Sequence, residues 1–143
     1  MYTPHIITLV NCIEGDDYAM QYLPTVLRGV MLQASKKTNV SKSGLVDADS
    51  VTLFIPFSVD AGGKTFLKPK EYAATEDKSG VWTLKAGGES SAAECYFIKG
   101  EVNANGMSYA QALVAFDDVY RVTSVDIRDF GSASMQHWQV GGI

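Results

Sequence analysis

The stretch Val119-Tyr-Arg-Val-Thr-Ser-Val-Asp-Ile-Arg128, followed by Asp129-Phe-Gly-Ser-Ala-Ser134 and Met135-Gln-His-Trp-Gln-Val140, decides the fold. Strand side chains alternate faces, so Val119, Arg121, Thr123, Val125 and Ile127 fall on one side and Tyr120, Val122, Ser124 and Asp126 on the other. β-Branched residues dominate, and Gly131 among small polar residues supplies a turn into a second run that pairs back antiparallel. A C-terminal hairpin is expected, with the odd-numbered set of its first strand facing the core.

Upstream, Val51, Leu53, Ile55 and Phe57 alternate through Ala48-Asp-Ser-Val-Thr-Leu-Phe-Ile-Pro-Phe-Ser58, the clearest central strand, and Pro56 marks its end or an edge. Further strands are expected at Ile6–Val10, from Thr25 to Ala34, at Val81–Leu84, and at Glu94–Val102, with a short one between Lys64 and Leu67. Gly29 inside the second of these marks a bulge or a close approach by another backbone. Tyr18–Pro24 is ambiguous between a helical turn and extended chain. One helix is expected over Ser108–Phe116, with Ser108 as N-cap and Tyr109, Leu113 and Phe116 as its apolar face, and a single helical turn is possible at Pro69–Ala73. This is a mainly β chain: a small antiparallel β-barrel or sandwich with one short helix, forming a single domain over 1–143 with a long polar loop at about 35–47.

Composition narrows the function classes. A chain of 143 residues suffices for one domain and one core, and 46% apolar with 20% charged residues is a globular balance. A net charge of −4 disfavours binding of nucleic acid by the whole surface, although a locally basic loop remains compatible with it. Ser35-Lys-Lys-Thr-Asn-Val-Ser-Lys-Ser-Gly44 is such a loop, with three lysines and no acid. It reads either as solvated chain or as a basic arm, carrying Lys36, Lys37, Asn39 and Lys42, that reaches a partner. The N-terminal residues have no signal-peptide pattern and no stretch is apolar for long enough to span a membrane, so a soluble protein is expected.

Reactive constellations are not legible. His5 and His137 stand at opposite ends of the chain, and His137 is expected to be bonded within the sheet. Cys12 and Cys95 have no metal-site spacing and are expected to be reduced, separately packed thiols. Asp16-Asp17, Glu76-Asp77 and Asp117-Asp118 sit in apparent turns or caps, where acids are favoured locally. No serine lies in a nucleophile motif, and Gly62-Gly63, Gly87-Gly88 and Gly141-Gly142 read as turn or tail glycines. The expectation is no enzyme, no cofactor, no metal and no small-molecule substrate. A carbohydrate- or ligand-binding β-domain using Trp82 or Trp138 is the alternative of another class, and it requires an exposed aromatic platform. A small enzyme of unknown type is a third.

Several segments resemble a family of small morphogenesis proteins of tailed bacteriophages and prophages. They are Ala48–Ser58, Pro69-Lys-Glu-Tyr72, Trp82-Thr-Leu84, Phe97-Ile-Lys-Gly-Glu101, Asp117-Asp-Val-Tyr120 with Val122-Thr123 and Val125-Asp126, and Met135-Gln-His-Trp-Gln-Val-Gly-Gly142. They cover most of the chain from Ala48 onward. The resemblance implies a minor capsid or head-completion protein, with a strand order like that of the stopper barrels between portal and tail. It implies a homo-oligomeric ring contacting portal or adaptor and tail proteins, located in the virion and made in the bacterial cytoplasm. Lys36, Lys37 and Lys42 would then face packaged DNA or the portal. A tail-terminator or minor capsid role is the near alternative.

Overall fold

The computed structural model describes residues 3–14, 20–35, 50–85 and 95–143. In chain order they form β1 (His5–Glu14), β2 (Met20–Ser35), β3 (Ser50–Pro56), β4 (Thr65–Phe66), α1 (Pro69–Ala74), β5 (Val81–Trp82), β6 (Tyr96–Lys99), α2 (Tyr109–Ala115), β7 (Val119–Arg128) and β8 (His137–Gly142). A 3-10 turn at Ala133–Met135 leads into β8. Six strands close into a barrel in the order β1-β2-β3-β8-β7-β6, with β6 returning to β1, and every pairing in it is antiparallel. The expected antiparallel barrel is therefore present. Among the described residues it carries two short helices where one was expected, because the turn at Pro69 extends to Ala74 with proline in the first helical turn.

Alternation fills the interior. Ile7 and Leu9 from β1, Leu27, Val30 and Leu32 from β2, Val51, Leu53 and Ile55 from β3, Phe97 from β6, and Trp138 and Val140 from β8 form one buried cluster. Burying each such side chain contributes about 1.5–3 kcal/mol before conformational entropy is counted. The intervening residues Val10 and Cys12 of β1 and Tyr96 and Ile98 of β6 face outward and are buried too, under α2 and the segment before it. That second cover explains why β1 reads as a nearly continuous apolar run rather than an alternating one.

α2 starts with a capping box: Ser108 Oγ accepts from Gln111 N–H at 3.3 Å and Gln111 Oε1 accepts from Ser108 N–H at 2.9 Å. Its inner face differs from the expected one. Tyr109, Ala112 and Phe116 pack on the barrel, whereas Leu113 is 49% exposed. The small Ala112 lies against the sheet with no exposed surface, which turns Leu113 outward.

The expected facing of β7 holds only in its second half. β7 pairs Val122 with Gly142 but Ser124 with Gly141, so one extra residue, Thr123, bulges out. Before the bulge Val119 packs outside with α2, and Tyr120 and Val122 pack with the interior cluster. After it the phase reverses and Val125 packs inward. Gly141 and Gly142 are corrected as well: they are paired residues of β8, not a tail. A Cβ on Gly142 would lie 3.1 Å from Arg121 O and Val51 Cγ2 and 3.2 Å from Phe97 Cε1, so glycine lets these groups converge.

β2 begins at Met20, settling the ambiguous stretch as strand, and runs through Pro24. Proline is accommodated there because Met20–Gly29 has β1 as its ladder partner on one side, with a single bridge from Arg28 to Asp60 on the other. Gly29, at φ +89°, is the extra residue where His5 pairs with Val30 and Ile6 with Arg28, which is the expected bulge. β4 and β5 pair in parallel and, with α1, form an excursion between β3 and β6.

Candidate functional site

Where β1 and β6 meet, the register Val10 to Tyr96 brings residues 11 and 12 beside Cys95. A cavity of about 290 Å³ opens there, lined by Cys12, Cys95, Tyr72, Thr83, Lys78 and Lys85 among others. Residues 86–94, between Lys85 and Cys95 in sequence, lie outside the described residues. Cys12 and Cys95 are buried thiols outside any disulfide, and they share this cavity instead of packing separately, because antiparallel closure of the barrel joins distant parts of the chain.

Asn11 organises this region. Its Nδ2 donates to Thr83 O at 2.7 Å and to Cys95 Sγ at 3.3 Å, and its Oδ1 accepts from Thr83 N–H at 3.2 Å. Burial pushes the Cys95 thiol up, partly opposed by the Asn11 donor, so a neutral thiol prevails at neutral pH. Burial likewise pushes the Tyr72 phenol up to about 12, with smaller contributions from Cys95 and Cys12. Lys78 Nζ sits 5.5 Å from the centre of the Tyr72 ring and donates to Thr75 O. Tyr72 Oη and Thr83 Oγ1 are buried without a hydrogen-bond partner among the described residues. The described lining holds neither histidine nor carboxylate; its ionisable groups are Lys78, Lys85, the Tyr72 phenol and the two thiols.

The histidines occupy structural positions. His5 Nδ1 accepts from Leu32 N–H at 3.0 Å. His137 Nδ1 lies 2.8 Å from Met135 O, with its ring 5.6 Å from that of Phe54. Among the described residues no group of three or more His, Cys, Asp or Glu side chains is placed to hold a metal ion. Asp77 accepts from Ser79 N–H and Oγ–H, which holds its carboxyl below the usual range and makes it a turn residue, as expected. Among the described residues no helix is long and apolar enough to cross a membrane.

Trp82 and Trp138 are 2% and 8% exposed, meet edge to face at 5.5 Å, and pack with Phe66 and Phe57. Buried in this way they offer no sugar-stacking platform. The apolar surface that is exposed lies elsewhere. α2 presents Leu113 and Val114, the latter 92% exposed, with Asp117 and Asp118 exposed just beyond its C-terminus. At the far end of β7, Ile127, Phe130 and Met135 are exposed on the hairpin. Beside the hairpin runs a groove of about 380 Å³ whose apolar walls include Phe66, Leu84, Val125, Ile127 and Trp138, with Lys68 and Lys85 also lining it.

Lys36, Lys37, Asn39 and Lys42, singled out as a partner or DNA-channel loop, lie in 36–49, outside the described residues, as do Asp16 and Asp17. Sequence reasoning missed Asn11, although a polar residue inside Leu9-Val-Asn-Cys-Ile13 is itself a signal of a buried hydrogen-bonding role. It also missed the groove, whose walls come from four separate segments.

A family model described as a family of unknown function, DUF6751, matches residues 2–143, and the chain belongs to that family. No curated protein and no solved structure matches it.

Proposed function

We propose that this member of the family is a structural assembly protein of tailed bacteriophages. In this reading it is a head-completion, stopper-like subunit that forms a homo-oligomeric ring between portal or adaptor and tail. The observation that carries the reading is the placing of exposed apolar side chains in two separate patches, Leu113 and Val114 on α2 and Ile127, Phe130 and Met135 at the hairpin. Val119, which packs with α2, and Ile127 lie eight residues apart on β7, roughly 25 Å at the strand rise. A ring needs this kind of arrangement, in which one surface of a subunit meets a different surface of the next. Exposed apolar clusters on a small domain are expected to be covered by a partner. The closed barrel supplies a stiff body that keeps the two patches apart, and the order of segments resembling phage head-completion proteins directs the reading to that particle.

In the assembled ring Lys36, Lys37 and Lys42, with Asn39, would face packaged DNA or the portal, which suits a basic stretch of sequence in an otherwise acidic chain. The test is electron microscopy of particles produced without this protein. DNA-filled or leaking heads that fail to join tails are expected. Finished tails of irregular length beside normal heads would move the role to tail termination, and normal infectious particles would contradict the proposal.

A further inference from the structure

Given the assembly reading, the remaining question is which surface meets which. The groove beside Trp138 is walled by apolar side chains from β4, β7, β8 and the residue Leu84, and the Lys68 and Lys85 side chains line it. Both lysines are exposed, and no carboxylate lines the groove among the described residues. The outer face of α2 has the opposite character. Ala110, Leu113 and Val114 follow one another at helical spacing on the exposed side, and the exposed Asp117 and Asp118 come directly after. An apolar helical ridge ending in two acids thus faces outward at one end of β7, and an apolar groove with two ammonium groups lies at the other.

We infer that α2 of one copy docks in the Trp138 groove of the next copy, Val114 and Leu113 entering between Phe66 and Ile127 while Asp117 and Asp118 meet Lys68 and Lys85. Helix-in-groove recognition uses side chains at this spacing as anchors, and opposed charges set the register and exclude the reversed orientation. Because the two surfaces are different, the contact is heterologous and propagates from copy to copy until it closes. The inference rests on the assembly reading and adds to it the identity of the contact.

Sedimentation velocity of the full chain, from low concentration up to about 1 mM, tests it with variants confined to exposed residues and checked for unchanged circular dichroism. Wild-type protein is expected to form species heavier than the 15.5 kDa chain. Val114→Asp is expected to weaken association at least about tenfold, the scale of losing one interface anchor. Reversing the acids (Asp117→Lys with Asp118→Lys) or the lysines (Lys68→Glu with Lys85→Glu) weakens it as well, and combining the two reversals restores it. Wild-type association that none of these variants alters overturns the inference while leaving the assembly reading in place. A wild-type chain that stays at the monomer mass throughout also overturns the inference, and the particle phenotype then decides the assembly reading separately.

Discussion

Asn11 and Thr83 are joined like two residues of a ladder: the amide of Asn11 donates to Thr83 O at 2.7 Å and accepts from Thr83 N–H at 3.2 Å. β5 ends at Trp82, so the Asn11 side chain takes the place of a strand partner for the next residue. Both residues are buried, and the pairing fixes the β4–α1–β5 excursion to β1. Asn11→Leu keeps the approximate volume but strands the N–H and C=O of Thr83. Two unsatisfied buried groups cost about 2–6 kcal/mol together. Urea denaturation should show that loss, and a change below about 0.5 kcal/mol would contradict the role given to Asn11.

Tyr72 and Tyr96 are both buried phenols whose ionisation is pushed up by burial, but they differ in partnering. Tyr96 Oη donates to Met107 O, while Tyr72 Oη has no partner among the described residues. Tyr96→Phe is therefore expected to cost about 1 kcal/mol and Tyr72→Phe to be neutral or slightly stabilising at neutral pH. The folded ionisation of Tyr72 lies above its ordinary 10.0, so its protonated form contributes stability that is complete below that value. The contribution is lost as pH rises towards about 12. Tyr72→Phe should flatten the fall in stability across that alkaline window, followed by phenolate absorbance together with denaturation midpoints.

Gly141 and Gly142 separate two kinds of crowding. A Cβ on Gly142 meets a backbone oxygen, a core valine and a core ring at 3.1–3.2 Å, none of which moves freely. Gly142→Ala should cost about 1–3 kcal/mol, the range for overpacking. At Gly141 the close neighbour is Ser124 Oγ at 2.5 Å, a hydroxyl on an exposed side chain that rotates away. Gly141→Ala is expected to cost less, and Ser124→Ala should remove most of its penalty. Thermal melts of the three variants check the order.

Two neighbouring residues test which face of α2 packs on its own barrel. Ala112 is fully buried against the barrel and Leu113 is half exposed. Ala112→Leu should destabilise by about 1–3 kcal/mol by overpacking, and Leu113→Ser should stay within about 0.5 kcal/mol, as exposed substitutions do. The reverse order in denaturation midpoints would restore the face first expected from Tyr109, Leu113 and Phe116.

The legible parts of this fold are those where one face alone is buried in regular strand. Val51, Leu53 and Ile55 alternate without interruption, and the hairpin turn at Gly131 carries a positive φ of 86° as a turn glycine should. β7 misled because the bulge at Thr123 has no sequence marker, and one unannounced residue reverses every later side chain. β1 and β6 hide their alternation because α2 buries their outer face too. The choice of Ala112 over Leu113 for the inner face reflects close helix–sheet approach, which hydrophobicity alone does not report. The cavity shared by Cys12 and Cys95 and the groove beside Trp138 are products of barrel closure, invisible to local spacing.

The proposed assembly role is tested most directly by a cryo-electron microscopy reconstruction of the junction between portal and tail in the intact particle. A ring of repeated copies of this six-stranded barrel is expected there, each with α2 against the Trp138 groove of its neighbour. A junction built without this barrel would contradict it.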